Sequence, residues 1–100
     1  MITDFQKRVY ALAKKVPRGK VTSYSAIAKK LKSSPRAVGQ ALRVNPFAPA
    51  VPCHRVVKAD GTIGGFGGEV SGKNIRKKIA MLRKEGVEIK ENSIGKKFFV

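Results

Sequence analysis

Apolar residues recur at helical spacing from the start of the chain. Four positions define the inner face of a first amphipathic helix: Phe5, Val9, Leu12 and Val16. The pattern predicts a helix over residues 3–16. Thr3 followed by Gln6 matches a capping box, in which the two residues satisfy backbone groups that the first turn leaves unpaired. The Pro-Arg-Gly sequence at 17–19 then ends the helix.

Two further helices follow in quick succession. Ser23 is a plausible N-cap for the second, and Ser34 caps the third, which has Pro35 at its first position. A three-residue turn at 32–34 separates them, and the Asn-Pro dipeptide at 45–46 ends the third. Their apolar positions are Tyr24, Ile27, Ala28 and Leu31, then Ala37, Val38, Ala41 and Leu42. Two short helices joined in this way are the outline of a helix-turn-helix.

The second half of the chain is less regular. Three prolines make residues 46–52 stiff and extended. A small β-hairpin is predicted over residues 53–63, with its tight turn at the Asp-Gly dipeptide 60–61. A last helix is predicted over residues 72–85 and ends at Gly86; its apolar spacing is carried by Ile75, Ile79 and Leu82. The tail that follows is either a short strand or a frayed end.

These elements predict a mostly α-helical protein with a small β-hairpin, arranged as one winged helix-turn-helix-like domain over residues 1–100. A chain of 100 residues is long enough for one modest core. No apolar run reaches the length of a membrane span, and the first residues lack the plan of a signal peptide. We therefore expect a cytoplasmic monomer without a membrane partner.

The charge balance indicates what the domain binds. Lys and Arg number 22 against six acidic residues, which gives a formal net charge of +16. A merely solvated surface would carry mixed signs, so a polyanion is the expected partner, with nucleic acid ahead of membrane.

The two central helices allow two interpretations. An ordinary helical hairpin with solvated lysines fits their spacing as well as a DNA-binding motif does. The third helix offers Arg36, Gln40 and Arg43 on its polar face, and Lys32 lies just before it. The net charge favours DNA, with the third helix as the recognition helix.

The single cysteine is either an inert core residue or a reactive thiol. One Cys and one His can form neither an internal disulfide nor a tetrahedral zinc site. The flanking valines suit a buried structural Cys53. The adjacent His54 and Arg55 suit a reactive one, because a thiol attacks carbon only as the thiolate. The glycine loop at 64–68 fits no phosphate-binding pattern, so nucleotide binding is discounted.

The complete segment around the cysteine is more specific than the Cys-His dipeptide. Val51-Pro52-Cys53-His54-Arg55-Val56 resembles the acceptor signature of the O6-alkylguanine-DNA alkyltransferases. Four other segments resemble motifs of that family in the same order. They are Gly19 to Tyr24, Arg36 to Pro46, Gly64 to Gly68, and Leu82 to Gly86. The resemblance covers most of the chain.

The resemblance implies a one-turnover transfer of an alkyl group from O6 of guanine in double-stranded DNA. Cys53 would be the nucleophile, with His54 as its base through a water molecule and Glu85 orienting the imidazole. Asn45 would join the recognition helix to the active site, and Tyr24 would donate a hydrogen bond to guanine N3. No cofactor or metal is implied. Arg55 is expected to be structural or phosphate-facing.

The resemblance also implies a DNA surface and a lesion pocket. Arg36 would fill the gap left by a flipped base, while the small residues Ala37 and Gly39 allow a close approach in the minor groove. Further DNA contacts are assigned to Ser23, Lys32, Gln40 and Arg43. The pocket would be lined by Tyr24, Val51, Pro52, Phe66 and Gly67.

The chain departs from the family in three respects, one of which is a longer stretch between Gly68 and Glu85. Phe66 and Gly67 stand where many relatives have Tyr and Ser, so lesion selectivity can differ. Members usually carry an additional N-terminal domain, and the resemblance implies that residues 1–100 are the DNA-binding and active-site domain without it.

Three hypotheses follow. The first is a stoichiometric alkyltransferase. The second is an alkyltransferase-like protein that flips and flags lesions without transfer; such proteins often carry Trp at the acceptor position, so Cys53 favours the first. The third is a basic regulator or architectural protein with an inert cysteine, which leaves the Cys53 segment and Glu85 unexplained.

Overall fold

A computed structural model describes residues 2–48, 50–64 and 73–100 of the chain. These residues contain four α-helices: α1 (Asp4–Lys14), α2 (Tyr24–Leu31), α3 (Pro35–Arg43) and α4 (Lys73–Lys84). All four helices predicted from apolar spacing are therefore present, and the mostly helical fold class is confirmed. None of them is long and apolar enough to cross a membrane.

Each of the first three helices begins at the residue that its sequence predicts. Thr3 and Gln6 form the complete capping box of α1. The hydroxyl oxygens of Ser23 and Ser34 accept from the backbone N–H groups of Ala26 and Ala37, at 3.0 and 3.1 Å. These bonds satisfy N–H groups that have no partner within the helix, which fixes where α2 and α3 start.

The helix-turn-helix rests on the first of two hydrophobic clusters. Helices α1, α2 and α3 contact one another around a fully buried centre, in which Val9, Ala13, Ile27 and Val38 are at most 2% exposed. The turn between α2 and α3 is tight because Lys32 adopts a left-handed conformation with φ of 53°. α3 is thereby held against α1 and α2 with its polar face outward.

The predicted hairpin over residues 53–63 is wrong in its pairing. Residues Cys53–Arg55 form a 3₁₀ turn, and β2 (Val56–Val57) pairs in parallel with β1 (Thr22–Ser23). A turn does form at 58–62, where the Lys58 N–H donates to the Thr62 carbonyl at 3.0 Å. Both residues of β2 are completely buried, so tertiary packing selected a distant partner for them.

The hairpin of this fold lies instead in the tail, where β3 (Ile89–Lys90) pairs antiparallel with β4 (Ser93–Ile94). The tail is therefore ordered rather than frayed, and it continues into a 3₁₀ turn at Lys96–Phe98. Val21 fastens this end of the chain: its N–H donates to the Phe98 carbonyl, and its carbonyl accepts from the Val100 N–H.

The tail and α4 form the second hydrophobic cluster. Its buried members are Val21, Val57, Ile63, Leu82, Val87, Ile89 and Ile94. The parallel ladder between β1 and β2 runs between the two clusters, because Val56 belongs to the first and Val57 to the second. The turn at Cys53–Arg55 directly precedes this ladder and lies against α4.

We predict that Gly61→Ala destabilises the fold. Gly61 has φ of +92°, and a Cβ there would lie 2.8 Å from the Ile94 carbonyl oxygen. The free energy of unfolding should fall by more than about 1 kcal/mol in denaturant titrations. Gly95→Ala is the matched control, because Gly95 has an ordinary φ of −69° and open space around it. Equal stability of the two variants would contradict the prediction.

Candidate active site and nucleic-acid interface

The only cysteine lies at the start of a short, well-anchored turn. Cys53 is half-buried and carries a free thiol. Its N–H donates to the Val51 carbonyl at 2.9 Å, and the Arg55 N–H donates to the Pro52 carbonyl at 2.9 Å. Val51 and Pro52 are themselves buried. The backbone that presents the thiol is therefore fixed on both sides.

His54 and Glu85 meet, although 31 residues separate them in the chain. The imidazole Nε2 lies 3.0 Å from the Glu85 Oε2, and the two side chains are only 4% and 9% exposed. The sequence paired these residues only through the family resemblance. The structure brings them together by placing the end of α4 against the turn that carries His54.

Arg55 completes this cluster. Its guanidinium makes two bonds to the Glu85 carboxylate, Nε to Oε1 at 2.9 Å and Nη2 to Oε2 at 2.8 Å. The remaining Nη1 donates to the carbonyl of Val16, just beyond α1, at 2.9 Å. Such a two-pronged pair is strong and directional. The sequence left Arg55 as either structural or phosphate-facing, and these bonds give it the structural role.

The cluster settles the charge of each member. The hydrogen bonds from Arg55, followed by that from His54, hold the pKa of Glu85 at about 2. Burial lowers the pKa of His54, and the bond to Glu85 only partly opposes this effect. A carboxylate can only accept, so the proton of the neutral imidazole stays on Nε2. The other ring nitrogen, Nδ1, is then a base that can take a proton.

Lys78 is a site residue that sequence reasoning missed. It is completely buried, and its ammonium donates to the Val56 and Ile63 carbonyls, both at 2.8 Å. Burial lowers its pKa to about 7, although the nearby Cys53 opposes the shift. Helical periodicity could have revealed this residue, because Lys78 lies three residues after Ile75 and four before Leu82, on the apolar face of α4.

Tyr24 lies against Lys78 at the first residue of α2. The ammonium of Lys78 is 3.4 Å from the Tyr24 hydroxyl and 5.7 Å from the centre of its ring. Burial, and then the charge of Cys53, raise the pKa of Tyr24 to about 12. Gly64 lies beside the ring, since a Cβ there would be 3.1 Å from the tyrosine Cε2. Tyr24, Lys78 and Cys53 thus form one electrostatic group.

Asn45 connects the end of α3 to the loop before the cysteine. Its side-chain amide donates to the Val51 carbonyl at 3.0 Å, and its Oδ1 accepts from the Phe47 N–H at 2.9 Å. Phe47 packs edge-on against Tyr10, whose hydroxyl donates to the Ala41 carbonyl at 2.8 Å. The loop that leads from α3 to Cys53 is therefore attached to α1 and α3.

Six of the seven residues assigned to DNA contact lie on α3 or just before it. Four of them have exposed side chains: Lys32, Arg36, Gln40 and Arg43. Ala37 and Gly39 are half-buried on the same helix. Ser23 differs, since it is 7% exposed and its hydroxyl oxygen already accepts the N-cap bond of α2.

Two of the expected pocket residues, Phe66 and Gly67, lie outside the described residues. Tyr24, Val51 and Pro52 remain as the described members of that set, close to the cysteine turn. Over residues 2–48, 50–64 and 73–100, no three His, Cys, Asp or Glu side chains are grouped so that they could hold a metal ion.

The fold and the site define a class of protein: a helix-turn-helix domain with a cysteine-histidine turn fixed by a buried glutamate. Comparison with known proteins gives the family. Residues 4–87 match the family model described as 6-O-methylguanine DNA methyltransferase, DNA binding domain. The chain therefore belongs to this family, as the resemblance predicted.

Individual relatives carry two different names. The methylated-DNA–protein-cysteine methyltransferase of Thermococcus kodakarensis is 47% identical over 88 residues, which are 87% of this chain and 47% of the relative. The DNA base-flipping protein of Thermus thermophilus is 47% identical over 79 residues, 79% of this chain and 50% of the relative. The chain spans about half the length of the curated relatives it matches.

A solved structure matches the entire chain. It is S. pombe Atl1 in complex with damaged DNA containing O6-carboxymethylguanine. The TM-score is 0.79 at 29% identity, and the match covers 100% of this chain and 98% of that one. The fold of this chain is thus that of a protein whose structure was solved with damaged DNA.

Lys78→Met should remove a pH dependence of stability. Between pH 7 and 10 the unfolded chain holds a proton on Lys78 that the folded chain has largely lost, so the free energy of unfolding should rise with pH. The rise is at most about 1.4 kcal/mol per pH unit. Denaturant titrations across this range would measure it in the protein and in the variant. Lys77→Met, at the exposed neighbouring position, should keep the rise; parallel curves for wild type and Lys78→Met would contradict the assignment.

Proposed function

We propose that this chain repairs DNA directly, by moving an alkyl group from O6 of a modified guanine to Cys53 in a single turnover. The observation that carries the proposal is the half-exposed Cys53 beside His54, whose imidazole is oriented by the buried, ionised Glu85. A nucleophile, a base and an orienting carboxylate are the parts that covalent catalysis needs. Family membership supports the same reaction.

In the proposed reaction the Cys53 thiol gives its proton to His54, and the sulfur then attacks the alkyl carbon. Nδ1 is the nitrogen that receives the proton, because Glu85 holds the proton on Nε2. A water molecule carries the transfer between these neighbouring side chains. The sulfur–carbon bond forms as the carbon–O6 bond breaks, and the bonding electrons leave with the guanine. A thioether is chemically stable, so each molecule acts once.

Tyr24 and Lys78 serve the leaving purine in this proposal. Tyr24 donates a hydrogen bond to guanine N3, which offsets the negative charge that the departing base receives. Lys78 lies 3.4 Å from the phenolic oxygen, so in its protonated form it stabilises negative charge there. Charge stabilisation of this kind is strong in a site shielded from water.

α3 is the proposed DNA-reading element. Its exposed Arg36 enters the duplex and fills the space of the flipped nucleotide, which must leave the stack before Cys53 can reach O6. Asn45 and the loop after it connect α3 to the cysteine turn. DNA binding and presentation of the thiol therefore depend on one continuous segment.

A second function has support of its own: recognition of the lesion without transfer. The match to Atl1 extends over both chains almost completely, and one curated relative is named for base flipping alone. The same α3 and the same pocket would serve that function. The two proposals differ in whether Cys53 forms a bond.

Intact mass measured after mixing the protein with a duplex that contains O6-methylguanine separates these functions. We expect a gain of one methyl group per molecule, mapped to Cys53 and saturating there. Cys53→Ala should bind the lesion but gain no mass. Binding of the duplex by the wild-type chain without a mass gain would establish lesion recognition alone, and transfer by Cys53→Ala would place the nucleophile elsewhere.

Gly39→Ala should separate stability from DNA affinity. A Cβ at Gly39 meets nothing within 4 Å, so the variant should be more stable by roughly 0.5–1 kcal/mol, as expected inside a helix. The same methyl group would stand between α3 and the DNA backbone and weaken duplex binding. Gly95→Ala, which also points into open space, is the control for binding. Unchanged affinity in Gly39→Ala would remove this position from the DNA surface.

A further inference from the structure

α4 carries a strongly basic surface that the proposed reaction does not use. Its exposed cations form what we term the α4 basic face: Lys73, Arg76, Lys77, Arg83 and Lys84. The helix contains no acidic residue. Positions three and four apart on a helix are neighbours, so like charges at Lys73 and Lys77 repel each other. A surface of this kind is more stable when an anion covers it.

The described part of the chain supplies no carboxylate to the α4 basic face. Within the described residues, the Lys and Arg side chains that form ion pairs are Arg8, Arg55 and Lys97, and none of these lies on α4. Glu85, the acid nearest in sequence, is turned inward to Arg55 and His54. The positive charge of this face is therefore left for an external partner.

A shallow, open depression adjoins this face. Arg76, Arg83 and Lys84 line a shallow cleft of about 690 Å³ between α4 and the β3–β4 hairpin. Ile79, Ala80 and Asn92 line the remainder, and Asn92 brings a side-chain amide from the hairpin turn. Cations at the edge of such a depression can reach successive phosphates of a nucleic-acid strand.

The α4 basic face points away from the reactive cysteine. α4 buries Lys78 and Leu82 and packs against the turn at Cys53–Arg55, so its exposed side faces the opposite direction. The recognition helix α3 rests on the first hydrophobic cluster and α4 on the second. The α4 basic face therefore lies on the side of α4 opposite the turn to which a flipped base would be delivered.

We propose that the α4 basic face binds the phosphate backbone of a second DNA segment, so that one molecule can bridge two duplexes. Guanidinium and ammonium groups suffice for phosphate binding, which needs no apolar contact. Insertion into a membrane or an apolar protein interface would need a larger exposed apolar surface, and Ala80 is the only apolar side chain of α4 that is exposed rather than buried or half-buried. The inference rests on the proposed DNA binding by α3.

The test counts duplexes per protein molecule. Native mass spectrometry of the full chain with short undamaged duplexes should show one chain carrying two duplexes. Arg76→Gln combined with Lys84→Gln should weaken binding of the second duplex and leave binding of the first unchanged. Lys7→Gln combined with Lys14→Gln is the matched control, because it removes the same charge from exposed positions of α1. The control should retain both duplexes.

Energy transfer between two differently labelled duplexes would give the salt dependence of the second binding event. Loss of two phosphate contacts should reduce the slope of log K against log salt by roughly 1.8. Equal losses in both double variants would overturn the proposal, since only overall charge would matter. The proposal would also be overturned if the wild-type chain bound only one duplex, or if the α4 double variant lost the first duplex. Failure to bind any duplex would overturn the proposed function as well.

Discussion

The Glu85 carboxylate is the group on which the rest of the site depends. A carboxylate just beyond the last turn of α4 is unfavourable against the helix dipole, so it needs compensation. Arg55 provides that compensation with two hydrogen bonds, and the same guanidinium reaches the Val16 carbonyl just beyond α1. One ionised group thereby joins the ends of two helices to the turn that carries Cys53. The same network also holds His54. The stability of the fold and the orientation of the base therefore depend on the same hydrogen bonds.

Two cations near the cysteine are in different electrostatic states, the half-buried Arg55 and the completely buried Lys78. Arg55 is paired with a carboxylate, whereas the ammonium of Lys78 donates to two carbonyls and to the Tyr24 hydroxyl. Carbonyl dipoles compensate a buried charge only partly, and burial therefore lowers the pKa of Lys78 to about 7. The Glu85 carboxylate on one side stays ionised near neutral pH, whereas Lys78 on the other side can change its charge there. The proposed reaction uses the first for the nucleophile and the second for the leaving base.

The two proposed functions would use the same DNA-reading elements. Coupling between α3 and the cysteine turn, through Asn45 and the loop after it, would serve either function, because each proposal requires an extruded base in the pocket. The chemistry at Cys53 is the step that separates them. The proposed binding of a second DNA segment by the α4 basic face depends on charge alone. It would therefore be the same whether or not Cys53 accepts an alkyl group.

The sequence by itself determined the helices, their capping residues, the net charge and the Cys53-His54 dipeptide. Local rules are sufficient for these features. Apolar spacing selects the buried face of α1, and Ser23 and Ser34 mark helix starts whatever the tertiary structure around them. Resemblance to the family added Glu85 and Tyr24 as site residues. Only the tertiary structure decided that Val56–Val57 pairs with Thr22–Ser23, that the hairpin lies at residues 89–94, and that Lys78 is buried beside Tyr24. Two-residue strands carry too little local preference to specify a partner, and the pKa of a lysine depends on the atoms that surround it after folding.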